Sequence, residues 1–201
     1  MEFEPIVHII DDEAAVCEII ARLAKSVGLA SKSYPSASDF LAIYDGYRPG
    51  CIVLDLRMPR MNGIEALASF KARDIALPVI MLSGYGDIPT AVRSLKLGAV
   101  DFILKPFQSD ALLERVQGVV AEDMLQLARE QASHRLRLRF RRISPREAEV
   151  LSLVVKGKPS KEIARRLHIS RKTVDVHRSN LMRKVGVLSV AELVNLWLSA
   201  K

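Results

Sequence analysis

Asp11, Asp12, Asp55, Ser83 and Lys105 each follow an apolar run. Ile9-Ile10 leads into Asp11-Asp12-Glu13, Val53-Leu54 into Asp55, Met81-Leu82 into Ser83-Gly84, and Leu104 into Lys105-Pro106. Two adjacent acids and a third from a neighbouring strand form a hard-oxygen cluster that suits Mg2+, which keeps several waters and needs only a few carboxylates. A cation and a lysine beside one carboxylate neutralise the oxygens of an incoming phosphoryl group, while the Ser83 hydroxyl donates to a further oxygen. Asp55 is then left as a nucleophile for phosphoryl transfer. Taken singly, each residue has a plainer use: Asp12 as a helix cap, Ser83 in a turn, Lys105 in solvent. Their joint occurrence at the ends of apolar runs is what argues for a site.

The elements that must position these groups are legible as an alternation. Short apolar runs at Ile6 to Ile10, Ala30 to Tyr34, Cys51 to Leu56, Pro78 to Leu82 and Val100 to Leu104 read as strands. Between them lie amphipathic stretches such as Glu13 to Ser26, where Val16, Ile19, Ile20 and Leu23 recur at helical spacing before Gly28. Alternating units of this kind predict a parallel sheet covered by helices on both faces, in a flavodoxin-like order. The four polar clusters then share the carboxyl edge of the sheet, where ligands collect in open α/β folds.

The charge is divided along the chain. Residues 1–120 carry a net −3 and residues 121–201 a net +10, which suggests a polyanionic partner for the C-terminal part, with a merely solubilising basic face as the alternative. No apolar run approaches the ~18 residues of a membrane span, and Met1-Glu2-Phe3-Glu4-Pro5 lacks the basic start of a secretory signal, so a cytoplasmic protein without a membrane partner is expected. Cys17 and Cys51 have neither metal-ligand spacing nor a nearby histidine, and read as small buried residues.

Beyond Phe107 the helical periodicity continues through Leu112, Val116, Val120 and Leu127, without a Pro or Gly breaker after Gly118 until Pro145. The stretch His134 to Arg142 alternates basic and apolar residues; it fits a strand with one basic face or, slightly better, a helix end or loop that forms a flexible positive tether. Ser144-Pro145-Arg146-Glu147 is a capping-box helix start. A second helix is expected with Ser160 as its cap, a turn at His168-Ile169-Ser170, and a third helix from Arg171 to Val185 closed by Gly186. Short helices around a tight turn describe a helix-turn-helix, whose third helix offers Lys172, Thr173, Val176, His177, Arg178, Ser179, Arg183 and Lys184, with Lys161 on the helix before it. The combination suits sequence-specific binding of double-stranded DNA, with a protein-binding three-helix domain as the alternative.

Two family resemblances lie on these residues. Asp11-Asp12, Leu54 to Gly63, Leu82-Ser83-Gly84 and Leu104-Lys105-Pro106-Phe107 resemble the receiver domain of two-component response regulators. The resemblance implies that Asp55 accepts a phosphoryl group from a histidine kinase. Asp12, Asp55 and the Arg57 carbonyl would hold Mg2+, with Asp11 assisting through water. Ser83 and Lys105 would bind the phosphoryl oxygens, Phe102 would be a switch aromatic moving with Ser83, and bulky Arg57 and Tyr85 would shield the phosphoryl bond from water. Leu151, Gly157, Ser160 to Ala164, Ile169-Ser170, Thr173-Val174, His177 and Leu181-Met182 in turn resemble the LuxR-type DNA-binding domain. There the third helix enters the major groove, and a fourth, here Ser189 to Ala200 with Trp197, forms a dimer contact or completes the small core.

The whole chain therefore resembles the FixJ/NarL class of transcriptional response regulators, with Tyr85 to Val92 leaning to the FixJ side. The expected division is a receiver over residues 4–120, a helical and basic linker over 121–142, and an all-α, four-helix DNA-binding domain over 143–201. A homodimer formed on phosphorylation, through a face that includes Arg93, Lys96 and Asp101, is the expected output, with RNA polymerase as a further partner; relief of masking of the second domain is a compatible route. Two other classes are weighed. A phosphoaspartyl phosphatase needs an acid two residues after its nucleophile, where this chain has Arg57, so an enzyme is not expected. A receiver that never takes phosphate would not need the full acid, Ser and Lys set.

Overall fold

A computed structural model of the chain describes residues 4–46, 49–84 and 88–199. Its contacts divide the chain into two compact units at Leu127/Ala128.

The first unit alternates strands and helices: β1 (Ile6–Ile10), α1 (Ala14–Ser26), β2 (Ala30–Tyr34), α2 (Ala37–Ile43), β3 (Gly50–Asp55), α3 (Gly63–Ala72), β4 (Val79–Ser83), α4 (Ile88–Leu97) and β5 (Asp101–Leu104). Among the described residues the strands form one parallel sheet in the order β2-β1-β3-β4-β5. The flavodoxin-like fold is thus the one the alternation predicts. β3 and β4 are buried along their whole length, as their unbroken apolar sequence requires, whereas the edge strand β2 buries only Tyr34 fully. On one face Cys17, Ile20 and Ala24 of α1 pack with Leu112, Val116 and Val120; on the other Phe40 of α2 and Ala66, Leu67 and Phe70 of α3 pack with Ile10, Ile52, Leu54 and Met81.

Helix α3 begins at a reciprocal capping box. The Asn62 side chain accepts from the Glu65 amide at 3.0 Å, and the Glu65 carboxylate accepts from the Asn62 amide at 3.0 Å. Gly63 at its first position is dictated by space: a Cβ there would lie 2.6 Å from the Asp55 carbonyl oxygen and 2.9 Å from Leu56 Cα.

Helix α5 runs without interruption over Ser109–Phe140. The stretch from His134, which reads as a strand or as a helix end or loop, is the end of this helix through Phe140; its arginines are good helix formers, and Phe140 is buried in the core of the second unit. That unit continues with α6 (Pro145–Val155), α7 (Ser160–Leu167), α8 (Arg171–Val185) and α9 (Val190–Ser199). The core is made by Phe140, Val150, Leu151, Val154, Ile163, Val174, Leu181, Val185 and Leu193. Trp197 meets Phe140 edge-on, ring centroids 5.0 Å apart.

Candidate functional site: an acidic edge and a basic helix-turn-helix

The polar groups at the carboxyl edge of the sheet converge because neighbouring strands end in register. Asp11 follows β1, Asp55 closes β3, Ser83 closes β4 and Lys105 follows β5; the Asp11 amide donates to the Tyr34 carbonyl at 3.2 Å and the Lys105 amide to the Ser83 carbonyl at 2.7 Å, extending the ladders past the strands. Asp11 and Asp55 are buried and Asp12 is exposed. One carboxylate oxygen of each of the three acids lies within 4.8 Å of the others. The Lys105 ammonium stands 2.7 Å from an Asp11 oxygen and 2.7 Å from an Asp55 oxygen, with Glu13 at 3.4 Å.

These contacts explain how like charges are tolerated together. Burial raises the Asp11 carboxyl above its usual range and the Asp55 charge adds to this, while Lys105 and the Glu13 amide oppose it. For Lys105 burial acts against the charged form, but the two acids outweigh it and raise the ammonium above its ordinary value. Asp55 Oδ2 accepts from the Arg57 amide at 2.7 Å, which fixes the carboxylate at the start of the following loop. The donor set, three carboxylates open on the exposed Asp12 side, is all oxygen and fits a hard divalent cation.

Ser83 is fully buried and Phe102 half-buried against the core face that carries Phe40 and Met81. Asp12 does not cap α1, since Glu13 occupies that position without a side-chain cap bond. Tyr85, expected to shield the site together with Arg57, lies outside the described residues, as do Gly86 and Asp87.

In the second unit Ser144 caps α6 with the expected box: its hydroxyl accepts from the Glu147 amide, and the Glu147 carboxylate accepts from the Ser144 amide at 2.7 Å. Helix α7 is closed by His168 in the left-handed region at φ 53°, and α8 by Gly186 at φ 75°, which set the turns on either side. Ser170 caps α8 through the Thr173 amide at 3.0 Å. Lys161, Lys172, Val176, Ser179 and Arg183 are exposed, and Thr173 and His177 half-buried.

Ser160 is used differently from the sequence reading, and Arg178 and Lys184, expected to face DNA, also make contacts within the unit. Ser160 does not cap α7, where Pro159 stands at the cap; its hydroxyl instead donates to Asp175 at 2.9 Å and accepts from Arg178 at 2.8 Å. Arg178 is thereby engaged in tying α8 to the start of α7. Lys184 donates to the buried Glu147 at 2.7 Å, joining the end of α8 to the first turn of α6. Sequence reading missed this pairing because the partners are 37 residues apart; the only local sign was that Glu147 completes a capping box.

No helix is long and apolar enough to cross a membrane among the described residues. Residues 7–117 match the family model for the response regulator receiver domain, and residues 141–197 that for bacterial regulatory proteins of the luxR family. The chain is 41% identical over 193 residues to the transcriptional regulatory protein FixJ of Rhizobium meliloti, covering 96% of this chain and 95% of that protein. It is 40% identical over 194 residues to the response regulator protein TodT of Pseudomonas putida, covering 94% and 83%. Among solved structures, response regulator StyR matches with a TM-score of 0.90 at 36% identity over 97% of this chain and 98% of that one, and full-length FixJ from B. japonicum with a TM-score of 0.61 at 35% identity over 99% and 98%. The chain, with a receiver domain ahead of a LuxR-type DNA-binding domain, belongs to the FixJ/NarL family of two-component response regulators.

Proposed function

We propose that Asp55 is the phosphoacceptor through which a histidine kinase controls DNA binding by this transcriptional regulator. The observation that carries the reading is the Asp55 carboxylate at a strand end, 2.7 Å from the Lys105 ammonium and clustered with Asp11 and Asp12. In the transfer, an Asp55 oxygen attacks the phosphorus of a phosphohistidine; the O–P bond forms as the N–P bond breaks, and the imidazole leaves. Lys105 neutralises phosphoryl oxygens as it now neutralises carboxylates, and Ser83, at the end of the adjacent strand, donates to another. Asp12, Asp55 and the Arg57 carbonyl, with Asp11 assisting through water, would hold a Mg2+, which would supply the charge neutralisation that this many anionic oxygens require.

The output is carried by two surfaces. Helix α4 exposes Ile88, Val92 and Leu95 beside exposed Val100 and Leu104, an apolar strip on the face expected to change with phosphorylation and to pair with a second copy. Paired DNA-binding domains then gain affinity for promoter half-sites through effective concentration. Lys172, Thr173, Val176, His177, Arg178, Ser179, Arg183 and Lys184 of α8, with Lys161, meet the DNA, Arg178 and Lys184 also tying the helices together. RNA polymerase is the further partner that this role implies.

Sedimentation of the full chain with Mg2+, before and after beryllofluoride, tests the reading. A shift from monomer to dimer that is lost in Asp55→Asn supports it; a shift that persists in Asp55→Asn removes Asp55 as the acceptor.

A further inference from the structure

The far end of α5 is rich in arginine and almost free of acid. From Met124 to Phe140 the sequence has Arg129, Arg135, Arg137 and Arg139 against a single acid, Glu130. Arg129, Arg135 and Arg139 line one groove of about 510 Å³ between this helix and α9. Leu136 and Leu196 also line it, both half-buried and packed on the core of the second unit. The groove lies wholly within that unit.

Its arginines are open to solvent and little engaged. All three are exposed. The side chains of Arg129 and Arg135 make neither a hydrogen bond nor an ion pair among the described residues, and the hydroxyl of half-buried Ser133 between them makes no hydrogen bond there either. Arg139 directs one N–H at the Val185 carbonyl, 3.5 Å away, which leaves its other donors for a ligand. Glu130 does not line the groove, and Glu192 of α9 accepts from the Leu188 amide at 3.0 Å near the opposite end of that helix. Three cations therefore surround an apolar floor, and no carboxylate lines the groove with them.

We propose that this groove binds an elongated organic carboxylate with an apolar body, of the medium-chain fatty acid type, its carboxylate between Arg135 and Arg139 and its chain over Leu136 and Leu196 toward Arg129. Charge decides the head group, because a planar guanidinium offers paired N–H donors that match the two oxygens of a carboxylate. Spacing decides where it sits: residues four apart on a helix are about 6 Å apart, so Arg135 and Arg139 can share one carboxylate. Arg129 stands six residues earlier, about 9 Å along the axis at ~1.5 Å per residue, so a small inorganic anion at the pair would leave it and the leucines unused. The leucines decide the body, since covering them with an apolar chain gains roughly 25 cal/mol per Å² removed from water. A DNA backbone would use the arginines but not the leucines. The volume falls within the range of about 300–1,000 Å³ that small-molecule sites occupy.

A ligand in this position bridges α5 and α9, and the next residue of α9, Trp197, already meets Phe140 of α5 edge-on. Binding therefore favours the packed state of the two helices and alters the surroundings of the single tryptophan. No residue of the acidic edge takes part, so the binding stands apart from the role proposed for Asp55.

The experiment is a titration of the full chain with sodium decanoate, read by isothermal calorimetry and by Trp197 fluorescence, with decanol and acetate as probes that lack the charge or the chain. Arg135→Gln removes one cation at an exposed position. Ala132→Glu, also at an exposed position, places a carboxylate in the groove one helical turn from both Arg129 and Arg135, where it competes with the ligand. Both new residues are good helix formers, and circular dichroism checks the fold. Expected are saturable binding of decanoate, at least tenfold weaker binding in each variant, and at least tenfold weaker binding of decanol and of acetate. Absence of saturable binding, undiminished binding in either variant, or decanol or acetate binding as tightly as decanoate would each overturn the proposal. A lowered salt slope of DNA binding in Arg135→Gln, with no binding of decanoate, would assign the arginines to the phosphate backbone instead.

Discussion

Replacing Lys105 with methionine deletes one ammonium while keeping most of the bulk of the stem. The ammonium bridges Asp11 and Asp55 at 2.7 Å each, and the three side chains are 15%, 1% and 6% exposed. Removing one partner of a buried ion pair typically costs about 3–5 kcal/mol, and the opening of this cluster toward exposed Asp12 places the expected loss near the lower bound, about 3 kcal/mol without metal. At about 1.4 kcal/mol per decade, that is roughly a hundredfold increase in the opening of the local structure. Hydrogen exchange of peptides covering β1 and β3 reads it directly, which matters because the single tryptophan, Trp197, belongs to the other unit. Mg2+ should recover most of the loss by restoring positive charge at the same oxygens.

The pH dependence has a definite sign. Lys105 has a raised folded-state pKa, so its stabilisation is complete below the unfolded lysine value and is lost only as pH rises through the folded one. Asp11 is an acid with a raised pKa, so its ionisation costs stability as pH rises through its range, and losing Lys105 enlarges that cost. The deficit of Lys105→Met should therefore be full at neutral pH and shrink as the medium is acidified and Asp11 protonates. Equal exchange of β1 and β3 in the two proteins without metal would refute the reasoning.

Asp55→Asn should leave circular dichroism unchanged and abolish phosphoryl incorporation from a phosphorylated histidine kinase, measured by Phos-tag electrophoresis. Gly63→Ala forces a methyl group to 2.6 Å from the Asp55 carbonyl oxygen and should cost about 1–3 kcal/mol while weakening Mg2+ binding by calorimetry. Glu147→Gln should destabilise the DNA-binding domain by about 2 kcal/mol, followed by Trp197 fluorescence in urea. Burial acts to raise the Glu147 pKa, but Lys184 and Ser144 prevail and lower it, so its contribution is present above the unfolded glutamate value and fades as pH falls through the folded one; the variant and parent should converge in acid. Lys172→Ala and Arg183→Ala should each lower the salt slope of operator binding by about 1 in a fluorescence-anisotropy titration, with unchanged slopes arguing against phosphate contacts.

The parts of the molecule that could be read in the chain are those governed by near neighbours. β1 and β2 fall on the expected residues, and the box at Ser144 and Gly186 after α8 both act within four residues of themselves. The acidic edge was also accessible, because parallel strands of similar length must end together and so bring Asp11, Asp55, Ser83 and Lys105 to one side. The helical state of residues 134–140 was harder to see, since alternation of arginine with leucine suits a strand and only the burial of Phe140 decides the matter. Side-chain pairing was least accessible. That Lys184 turns to Glu147, that Arg178 and Asp175 share Ser160, and that His8 has a ring nitrogen without a partner among the described residues depend on residues brought together from elsewhere in the fold.

The span of the contacts also bears on how a newly made chain acquires regulation. The Lys105 bridge to Asp11 joins residues 94 apart, whereas the ties that close the helix-turn-helix unit span 15 to 46 residues. Contacts between distant residues carry a larger loop-closure cost and slow folding, so a helical unit of local contacts forms faster than a parallel sheet. The receiver has the slower assembly but leaves the ribosome first, and at about 5–20 residues per second the rest of the chain takes seconds to follow. A parallel sheet that assembles within milliseconds to seconds therefore closes its acidic edge before the DNA-binding unit is complete.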